Sequence, residues 1–415
     1  MTTEVCDPKT RSAWRQFSDA LREVTGFRAL KDQAKGSTPV PTDTNSTAPW
    51  LQGSGILAAR QIEAMAKAGL IGHAAPFAPG QIQPASLDLR LGARAWRMRA
   101  SFLPGSATVM ERVEDLRLHE IDLTEGAVLE TNCVYVAELM ESLDLPENLS
   151  AAANPKSSTG RIDVFTRVIT DGTRSFDTVR AGYKGPLFAE ISPKTFPILA
   201  RQGSRLSQMR FRNGGAVLDD AGHRALHARE PIVTSADPSF HNGVAVSIDL
   251  AGFGPDSILG YRAKRHTGLI DVDKVGACDP KHYWEPIHAD QRPGRTGGLI
   301  LDPGEFYILA SKEAVRVPPD HAAEMTPFDP LVGEFRVHYA GFFDPGFGAA
   351  EAGGLGARAV LEVRSHDVPF ILEDGQIIGR LVYERMAETP ASLYGAGLGS
   401  NYQAQGLKLS KHFRA

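Results

Sequence analysis

An internal repeat constrains the fold of this 415-residue chain more than any other feature of its sequence. Pro186-Leu-Phe-Ala-Glu-Ile-Ser-Pro-Lys-Thr-Phe-Pro-Ile-Leu-Ala-Arg-Gln-Gly203 aligns without a gap on Arg358-Ala-Val-Leu-Glu-Val-Arg-Ser-His-Asp-Val-Pro-Phe-Ile-Leu-Glu-Asp-Gly375. The alignment places Glu190 on Glu362, an offset of 172 positions (362 − 190), and keeps a proline and a glycine in register. Two copies at so long a period favour tandem domains over a solenoid.

Short runs of alternating apolar and polar residues, separated by proline and glycine, occur through most of the chain. Ser86-Leu-Asp-Leu-Arg-Leu91 and Cys133-Val-Tyr-Val-Ala137 are examples, and such runs predict many short strands in a sandwich or barrel. One amphipathic helix is predicted between Ile56 and Leu70, with Gly69 near its end. We therefore expect a mainly β protein of two related domains with a few short helices.

The domain boundaries follow from the repeat and from local composition. Residues 1–53 are polar and poor in large apolar groups, which predicts a flexible N-terminal extension. The other expected segments are a first domain at 54–213, a linker at 214–238, a second domain at 239–390 and a glycine-rich tail at 391–415.

Composition excludes several classes of protein. A formal charge of −4 leaves no general basic field for a nucleic acid polymer, and no apolar stretch reaches the roughly 18 residues of a membrane span. Cys6, Cys133 and Cys278 are too far apart to indicate a disulfide framework or a paired zinc motif. The sequence therefore predicts a cytoplasmic protein that binds any anionic ligand at a local site.

The densest group of functional side chains is Asn154-Pro-Lys-Ser-Ser-Thr-Gly-Arg161. Small residues allow backbone N–H groups to approach phosphate oxygens, while Lys156 and Arg161 supply positive charge. Such a turn can bind a phosphate, although a solvated turn between strands has the same composition.

A carboxylate interrupts the apolar run Leu187-Phe-Ala-Glu-Ile191. A buried carboxylate is costly unless it is paired, and burial raises its pKa toward neutrality. Glu190 is therefore a candidate for an arginine partner or for proton transfer. Alternation along a strand equally allows a Glu190 that points to solvent.

The C-terminal tail alternates glycine with aromatic and amide side chains, including Tyr394, Tyr402 and Gln405. A flexible segment of this composition can close over a base and sugar and exclude water. Fraying of a chain terminus is the alternative.

Taken in order, these segments resemble the dCTP deaminases of the dCTP deaminase and dUTPase superfamily, in the long tandem-domain form of α-proteobacteria. Gln83-Pro-Ala-Ser-Leu-Asp-Leu-Arg-Leu-Gly92 is similar to the family's early strand motif, and Lys156-Ser-Ser-Thr-Gly-Arg161 to its Arg-Ser-Ser-x-x-Arg segment. Glu190 matches the catalytic glutamate, and Tyr402-Gln-Ala-Gln-Gly406 resembles the family's closing sequence. The resemblance implies two dUTPase-like distorted β-barrel, or β-clip, domains and the hydrolytic deamination of dCTP to dUTP.

The resemblance also implies roles for individual residues. Glu190 would act as general base and acid on a water that attacks C4 of cytosine, with Ser157 and Arg161 orienting it and the water. The backbone around Thr170 and Asp171 would hold the pyrimidine. The other implied nucleotide contacts are Lys156, Ser158, Thr159, Gly160, Asp177, Phe188, Ala189, Tyr394, Asn401, Tyr402 and Gln405.

The chain departs from the family pattern at several positions. The family's first arginine is Lys156 here, and its tail lysine is Asn401. The second half has Pro327-Phe-Asp-Pro-Leu-Val-Gly333 where the Ser-Ser-x-x-Arg segment is expected, although it keeps Asp344 and Glu362. We therefore expect one complete site per chain, in the first half, with Glu362 and Asp344 as secondary candidates for a composite site.

Cofactors and partners follow from the same resemblance. Zinc deaminases activate water with the ligands of H-x-E and P-C-x-x-C, a pattern that this sequence lacks, so a zinc-independent reaction is expected. Mg²⁺ would be carried by the triphosphate and not by a protein cage. The relatives further imply a homo-oligomer with threefold contacts, with dTTP as a candidate inhibitor.

Two alternatives stay open. Asp177 lies in a segment near the dUTPase pattern and is a candidate to direct water at the α-phosphate, which would make the enzyme bifunctional and yield dUMP and pyrophosphate. The divergent second half instead suits a non-catalytic nucleotide-binding regulator.

Overall fold

The computed structural model describes residues 51–289, 298–327, 335–338, 341–350, 356–365, 367–395 and 406–414. Strands account for 45% of the described residues and helices for 11%, which confirms the predicted mainly β class. The predicted extension, 1–53, lies almost entirely outside the described residues.

The first half contains fourteen strands and three helices among its described residues. The strands are β1 (Gly55–Ile56), β2 (Ile71–His73), β3 (Ile82–Gln83), β4 (Ser86–Leu89), β5 (Leu91–Met98), β6 (Arg117–Asp122), β7 (Ala127–Leu129), β8 (Val134–Asp144), β9 (Leu149–Pro155), β10 (Val164–Thr170), β11 (Thr178–Val179), β12 (Lys184–Pro193), β13 (Ile198–Ala200) and β14 (Ser207–Asn213). The helices are α1 (Ala59–Lys67), α2 (Val109–Leu116) and α3 (Ser157–Gly160).

The second half contains twelve strands and two helices among its described residues. The strands are β15 (Val244–Ser247), β16 (Ile258–Ala263), β17 (Ile270–Asp271), β18 (Trp284–His288), β19 (Leu299–Leu301), β20 (Phe306–Val315), β21 (His321–Pro327), β22 (Phe335–His338), β23 (Phe342–Phe343), β24 (Ala357–Ser365), β25 (Phe370–Leu372) and β26 (Ile377–Arg385). The helices are α4 (Asp220–Arg229) and α5 (Pro280–Tyr283).

The two halves repeat the same strand order. The sheet β10-β12-β8-β5-β6 has its counterpart in β22-β24-β20-β16-β18. The series β11-β9-β14-β4 likewise corresponds to β23-β21-β26-β15, and the pair β7-β13 to β19-β25. The matching order confirms the tandem domains predicted from the repeat.

The same backbone-to-tyrosine hydrogen bond occurs at equivalent positions in the two halves. Glu130 N donates to Tyr135 Oη at 2.9 Å, and Asp302 N donates to Tyr307 Oη at 2.9 Å. Both residues of the second bond lie 172 positions after those of the first (307 − 135 and 302 − 130). This is the offset of the sequence repeat.

Helix α1 follows from an amphipathic sequence and a glycine stop. Ile62 and Met65 are fully buried, and Gly69 has φ +79°, a left-handed conformation that glycine adopts without strain. The predicted helix is therefore present but shorter than expected, because Gly55–Ile56 pairs with β14 as a strand.

Helix α4 lies within the range predicted as a linker. The Asp219 side chain accepts a backbone N–H of the first turn. Leu226 belongs to the core of the second half, and His223 Nε2 accepts from Tyr383 N at 3.0 Å. This segment therefore packs with the second half, which the linker prediction did not indicate.

Strand β24 presents different faces to the two halves. Leu361 and Val363 belong to the core of the second half, whereas Val360 lies in a core that both halves share. Because side chains alternate between the faces of a strand, Glu362 and Arg364 lie on the face that meets the first half.

The equivalent face of β12 is covered differently. Phe188 packs in a cluster with Trp96, Val109 and Val113 of the same half. Glu190 lies two residues on and therefore on the same face as Phe188. The first half thus covers the face of Glu190 itself, while the face of Glu362 is covered by the other half.

No helix among the described residues is long and apolar enough to cross a lipid bilayer.

Candidate functional site

The predicted phosphate-binding turn forms the short helix α3 at the end of β9. Lys156 N donates to Leu206 O at 2.9 Å, and Arg161 N donates to Ser157 O at 3.1 Å. The last three residues of α3, Ser158, Thr159 and Gly160, are buried, and Arg161 is only 2% exposed. The turn is therefore a packed element and not a solvated connection.

Arg161 joins the turn to the second half and to the tail. Its Nε donates to Ser157 Oγ at 3.1 Å and lies 3.8 Å from Glu362 Oε1. Its Nη1 donates to Lys408 O at 3.0 Å. One guanidinium thus brings together three segments that are far apart in the sequence.

Glu362 lies in the middle of β24, between β20 and β22. The residue is 5% exposed, and burial raises the pKa of its carboxyl to about 8, although the positive charge of Arg161 acts in the opposite direction. A carboxyl with a pKa near the working pH can both accept and release a proton.

A second ion pair between the halves lies beside the first, with its charges reversed. Arg364 Nη2 contacts Asp163 Oδ2 at 2.5 Å, and the same oxygen accepts from Thr195 Oγ1 at 2.5 Å. Asp163 follows Arg161 by two residues, and Arg364 follows Glu362 by two residues. Sequence reasoning missed this pair, although the spacing of two residues was a usable signal in the second half, because it places Glu362 and Arg364 on one face of β24.

The structure places Glu190, the predicted catalytic glutamate, beside Arg167, whereas Glu362 lies beside Arg161. Glu190 Oε1 accepts from Arg167 Nε at 3.2 Å and also forms an ion pair with Arg167 Nη2. The two residues are register partners on β12 and β10. The Arg167 guanidinium lies 3.6 Å from the centre of the Phe176 ring. The ion-pair partner of Glu190 therefore comes from its own half of the chain.

Asp177, the candidate for directing water at a phosphate, belongs to the surroundings of Glu190. Its Oδ1 accepts from Val168 N at 2.8 Å. Desolvation raises the pKa of Asp177 to about 7; the charge of Arg167 lowers it, while the charges of Glu324 and Glu190 raise it.

The residues predicted to hold the pyrimidine serve the packing of the first half. Asp171 Oδ1 accepts from Val109 N at 2.7 Å and so satisfies the start of helix α2. Thr170, Phe188 and Ala189 are buried.

Asp344 and Tyr394, both predicted site residues, lie together in the second half. Tyr394 N donates to Pro345 O at 2.8 Å, and the Tyr394 ring lies 5.7 Å from that of Phe347. Asp344 Oδ1 accepts from Nη2 of the fully buried Arg210 at 2.9 Å. The partner of Asp344 therefore comes from the first half.

The described end of the tail is anchored on the turn and is not frayed. Ser410 Oγ donates to Ser158 O at 2.8 Å. Phe413 is 5% exposed, and its ring contacts those of Phe196, Tyr283 and Trp284. The predicted contacts Asn401, Tyr402 and Gln405 lie outside the described residues.

A cavity of about 620 Å³ lies beside this end of the tail. Tyr261, Trp284 and the segment 407–411 line it, whereas Ser157, Arg161 and Glu362 do not. The cavity therefore adjoins the candidate site without containing it. Within the described parts of the chain, no group of three or more His, Cys, Asp or Glu side chains is placed to hold a metal ion.

Family models describe both halves of the chain. A model of the 2′-deoxycytidine 5′-triphosphate deaminase N-terminal domain matches residues 53–215. A model of the C-terminal domain of the same family matches residues 219–413.

A solved structure and curated sequences are also similar. The crystal structure of 2′-deoxycytidine 5′-triphosphate deaminase from Agrobacterium tumefaciens is 59% identical, with a TM-score of 0.79 over 84% of this chain and 100% of that chain. A protein from Beutenbergia cavernae named "dCTP deaminase, dUMP-forming" is 30% identical over 152 residues, 36% of this chain and 76% of its own length. A protein of the same name from Methanoculleus marisnigri is 30% identical over 166 residues, 38% of this chain and 79% of its own length.

Proposed function

The chain belongs to the dCTP deaminase family, and we propose that it converts dCTP to dUTP at one site that both halves build. The first half supplies Ser157 and Arg161, and the second half supplies Glu362. The observation that carries the proposal is the buried Glu362 carboxyl, with its pKa raised to about 8, 3.8 Å from Arg161.

Glu362 is proposed as the group that moves protons. As a carboxylate it takes a proton from water while the water oxygen bonds to C4 of cytosine, and it passes that proton to N3. The second proton of the added water reaches the amine through the same carboxylate, the C4–N bond breaks, and ammonia leaves. The overall reaction is dCTP plus water giving dUTP plus ammonia. A pKa of about 8 suits both directions of transfer near neutral pH.

Ser157 and Arg161 are proposed to orient this chemistry. Because Ser157 Oγ accepts the Nε–H of Arg161, its own hydroxyl hydrogen is directed elsewhere and is available to the oxygen that adds to C4. The guanidinium charge favours the ionised form of Glu362, which is the form that accepts a proton. Removal of a donor of this type from an active site lowers kcat by about 10²–10³.

The reaction is proposed to be independent of zinc, because the sequence lacks the ligand pattern of the zinc deaminases and a carboxyl group with a suitable pKa lies at the site. Mg²⁺ enters as part of the substrate, on the phosphates of dCTP. Lys156, at the start of the turn, contributes positive charge toward these phosphates.

Formation of dUMP is the second candidate. The names of the curated relatives favour it, since both describe a dUMP-forming enzyme. In that case the same nucleotide would also lose pyrophosphate, through water directed at the α-phosphate. Asp177 is the candidate for that step, although Glu190 and its partner Arg167 are among the charges that act on it.

Product analysis tests both candidates. Purified protein with dCTP and Mg²⁺ is assayed for ammonia, dUTP, dUMP and pyrophosphate, beside Glu362→Gln and the matched variant Glu190→Gln. We expect ammonia and dUTP in equal amounts, a loss of at least about 10³-fold in Glu362→Gln, and activity within about threefold of the parent in Glu190→Gln.

The other outcomes separate the remaining interpretations. Equal amounts of ammonia, dUMP and pyrophosphate would support the dUMP-forming enzyme. Loss of turnover in Glu190→Gln, with Glu362→Gln active, would return the catalytic role to the first half. Tight nucleotide binding without ammonia release would support the regulator.

A further inference from the structure

Two cations converge on one buried carboxylate beside the turn. Lys156 Nζ forms an ion pair with Asp88 Oδ1, and Arg205 Nη1 lies 3.5 Å from Asp88 Oδ2. The Asp88 side chain is 2% exposed, whereas those of Lys156 and Arg205 are 21% and 34% exposed. The buried Asp88 carboxylate thus contacts both cations, while part of each cationic side chain stays exposed to solvent.

A third cation comes from the tail. Lys411 follows Ser410, which donates to Ser158 O, and Lys411 O accepts from Gly276 N at 2.9 Å. The charges of Lys156 and Arg205 act on Lys411 and, together with burial, lower its pKa. The three cations are therefore close enough to repel one another.

The carboxylates that act on these cations, Asp88 and Asp273, are each shared between several positive side chains. Asp88 is shared by two of the three. Asp273, the other carboxylate that acts on Lys411, already contacts Arg201 Nη1 at 2.5 Å and accepts from Ser204 Oγ at 2.7 Å. An anion with several charges would relieve this repulsion.

We propose that Arg205 and Lys411 bind the terminal phosphates of the nucleoside triphosphate, alongside Lys156. The inference rests on the proposed function for the identity of the nucleotide, but the site itself requires only a polyphosphate chain. It accounts for one departure from the family pattern, the asparagine at Asn401 where the family has a lysine, because the lost positive charge is supplied from another part of the chain. Lys156 keeps the charge of the family's arginine.

The test uses inorganic triphosphate as the probe, because its binding does not require deamination. Calorimetric titrations at fixed ionic strength compare the parent chain with Arg205→Met and Lys411→Met, which keep side-chain length and remove charge. Lys274→Met is the matched control, since Lys274 lies near the same segment but pairs with Asp271 at 3.5 Å and is 69% exposed.

We expect Kd for triphosphate to rise at least about tenfold in each single variant and about a hundredfold in the double variant. Lys274→Met should stay within twofold. With dCTP, KM should rise by similar factors while kcat changes little. Arg205→Lys and Lys411→Arg should restore most of the affinity, which a merely structural role would not predict.

The inference is overturned if Arg205→Met and Lys411→Met bind triphosphate as tightly as the parent, or if the parent itself does not bind it. Thermal unfolding of each variant identifies a loss of binding that is caused by misfolding. In that case triphosphate binding by Arg205→Lys and Lys411→Arg decides whether the charge itself is required. If triphosphate binding depends on both residues but dCTP releases no ammonia, the proposed function fails and the phosphate site stands.

Discussion

Glu190 and Glu362 hold the same position in the two halves, 172 residues apart on equivalent central strands, yet their surroundings differ. Glu190 is held by Arg167, a register partner from its own half. Glu362 lies 3.8 Å from Arg161, which belongs to the other half. The same residue at the same position therefore pairs with an arginine of its own half in one copy and with an arginine of the other half in the second copy.

The difference shows that the partner of a duplicated residue depends on which part of the chain packs against its face of the strand. In the first half the face of Glu190 is closed by helix α2 and the cluster around Trp96. In the second half the equivalent face meets the first half. The two copies of a duplicated carboxylate can thus acquire different partners without any change in strand order.

The largest expected effects come from removing the two arginines in parallel. Arg161→Met should lower kcat/KM for dCTP by about 10²–10³. Arg167→Met leaves Glu190 buried without its partner, so it should lower the free energy of unfolding by about 3–5 kcal/mol. It should keep kcat/KM per folded molecule within about threefold. Steady-state kinetics and urea unfolding measure both quantities, and the reverse pattern would show that Glu190 is the working carboxylate.

The pH dependence of stability should identify Glu362 next. Its folded-state pKa of about 8 exceeds its ordinary value of 4.5, so between these pH values the folded chain binds a proton that the unfolded chain has lost. The contribution of this group to stability therefore falls as pH rises, by up to about 1.4 kcal/mol per pH unit. Measured by urea unfolding from pH 5 to pH 8, Glu362→Gln should gain stability relative to the parent as pH rises. A constant difference would contradict the raised pKa.

The reversed ion pair between Asp163 and Arg364 should couple the halves. A double-mutant cycle with Asp163→Asn and Arg364→Gln is expected to give an interaction energy of about 1–3 kcal/mol in unfolding free energy. Each single variant should also lower kcat/KM, because the pair lies two residues from Arg161 and Glu362. Additive single effects on stability would mean that the pair does not hold the halves together.

The smallest effect is expected at Asp177. Because Arg167 and Glu190, and not Arg161 or Glu362, are among the charges that act on it, Asp177→Asn should leave ammonia release from dCTP within about twofold of the parent. The same assay reads pyrophosphate. A variant that releases ammonia but loses pyrophosphate would instead assign Asp177 to a second, dUMP-forming step.

Much of the fold could be predicted because its signals are local or repeated. The alternating runs and the gapless repeat indicated short strands in tandem domains, and Gly69 indicated the end of helix α1. The turn at Ser157–Arg161 was also predictable, since its small and charged residues are contiguous in the sequence.

The grouping of the site could not be predicted in the same way. Which glutamate faces Arg161 depends on which half covers each face of β12 and β24, and that is a contact between segments about 200 residues apart. The role of Arg167 could not be predicted from the sequence, because its pairing with Glu190 depends on the register of β10 and β12. The charges at positions 161 and 163, and at 362 and 364, did carry a signal, but only a comparison of the two pairs would have found it.

The two ion pairs between the halves can form only after the second half of the chain has been synthesised. Arg161 leaves the ribosome 201 residues before Glu362 (362 − 161), a gap of about 10–40 s at translation rates of about 5–20 residues per second. During that interval the nascent first half carries the turn but has no glutamate to complete it. The chain should therefore process no nucleotide until the second half has emerged and docked, and a product truncated before position 362 should be inert, not partly active.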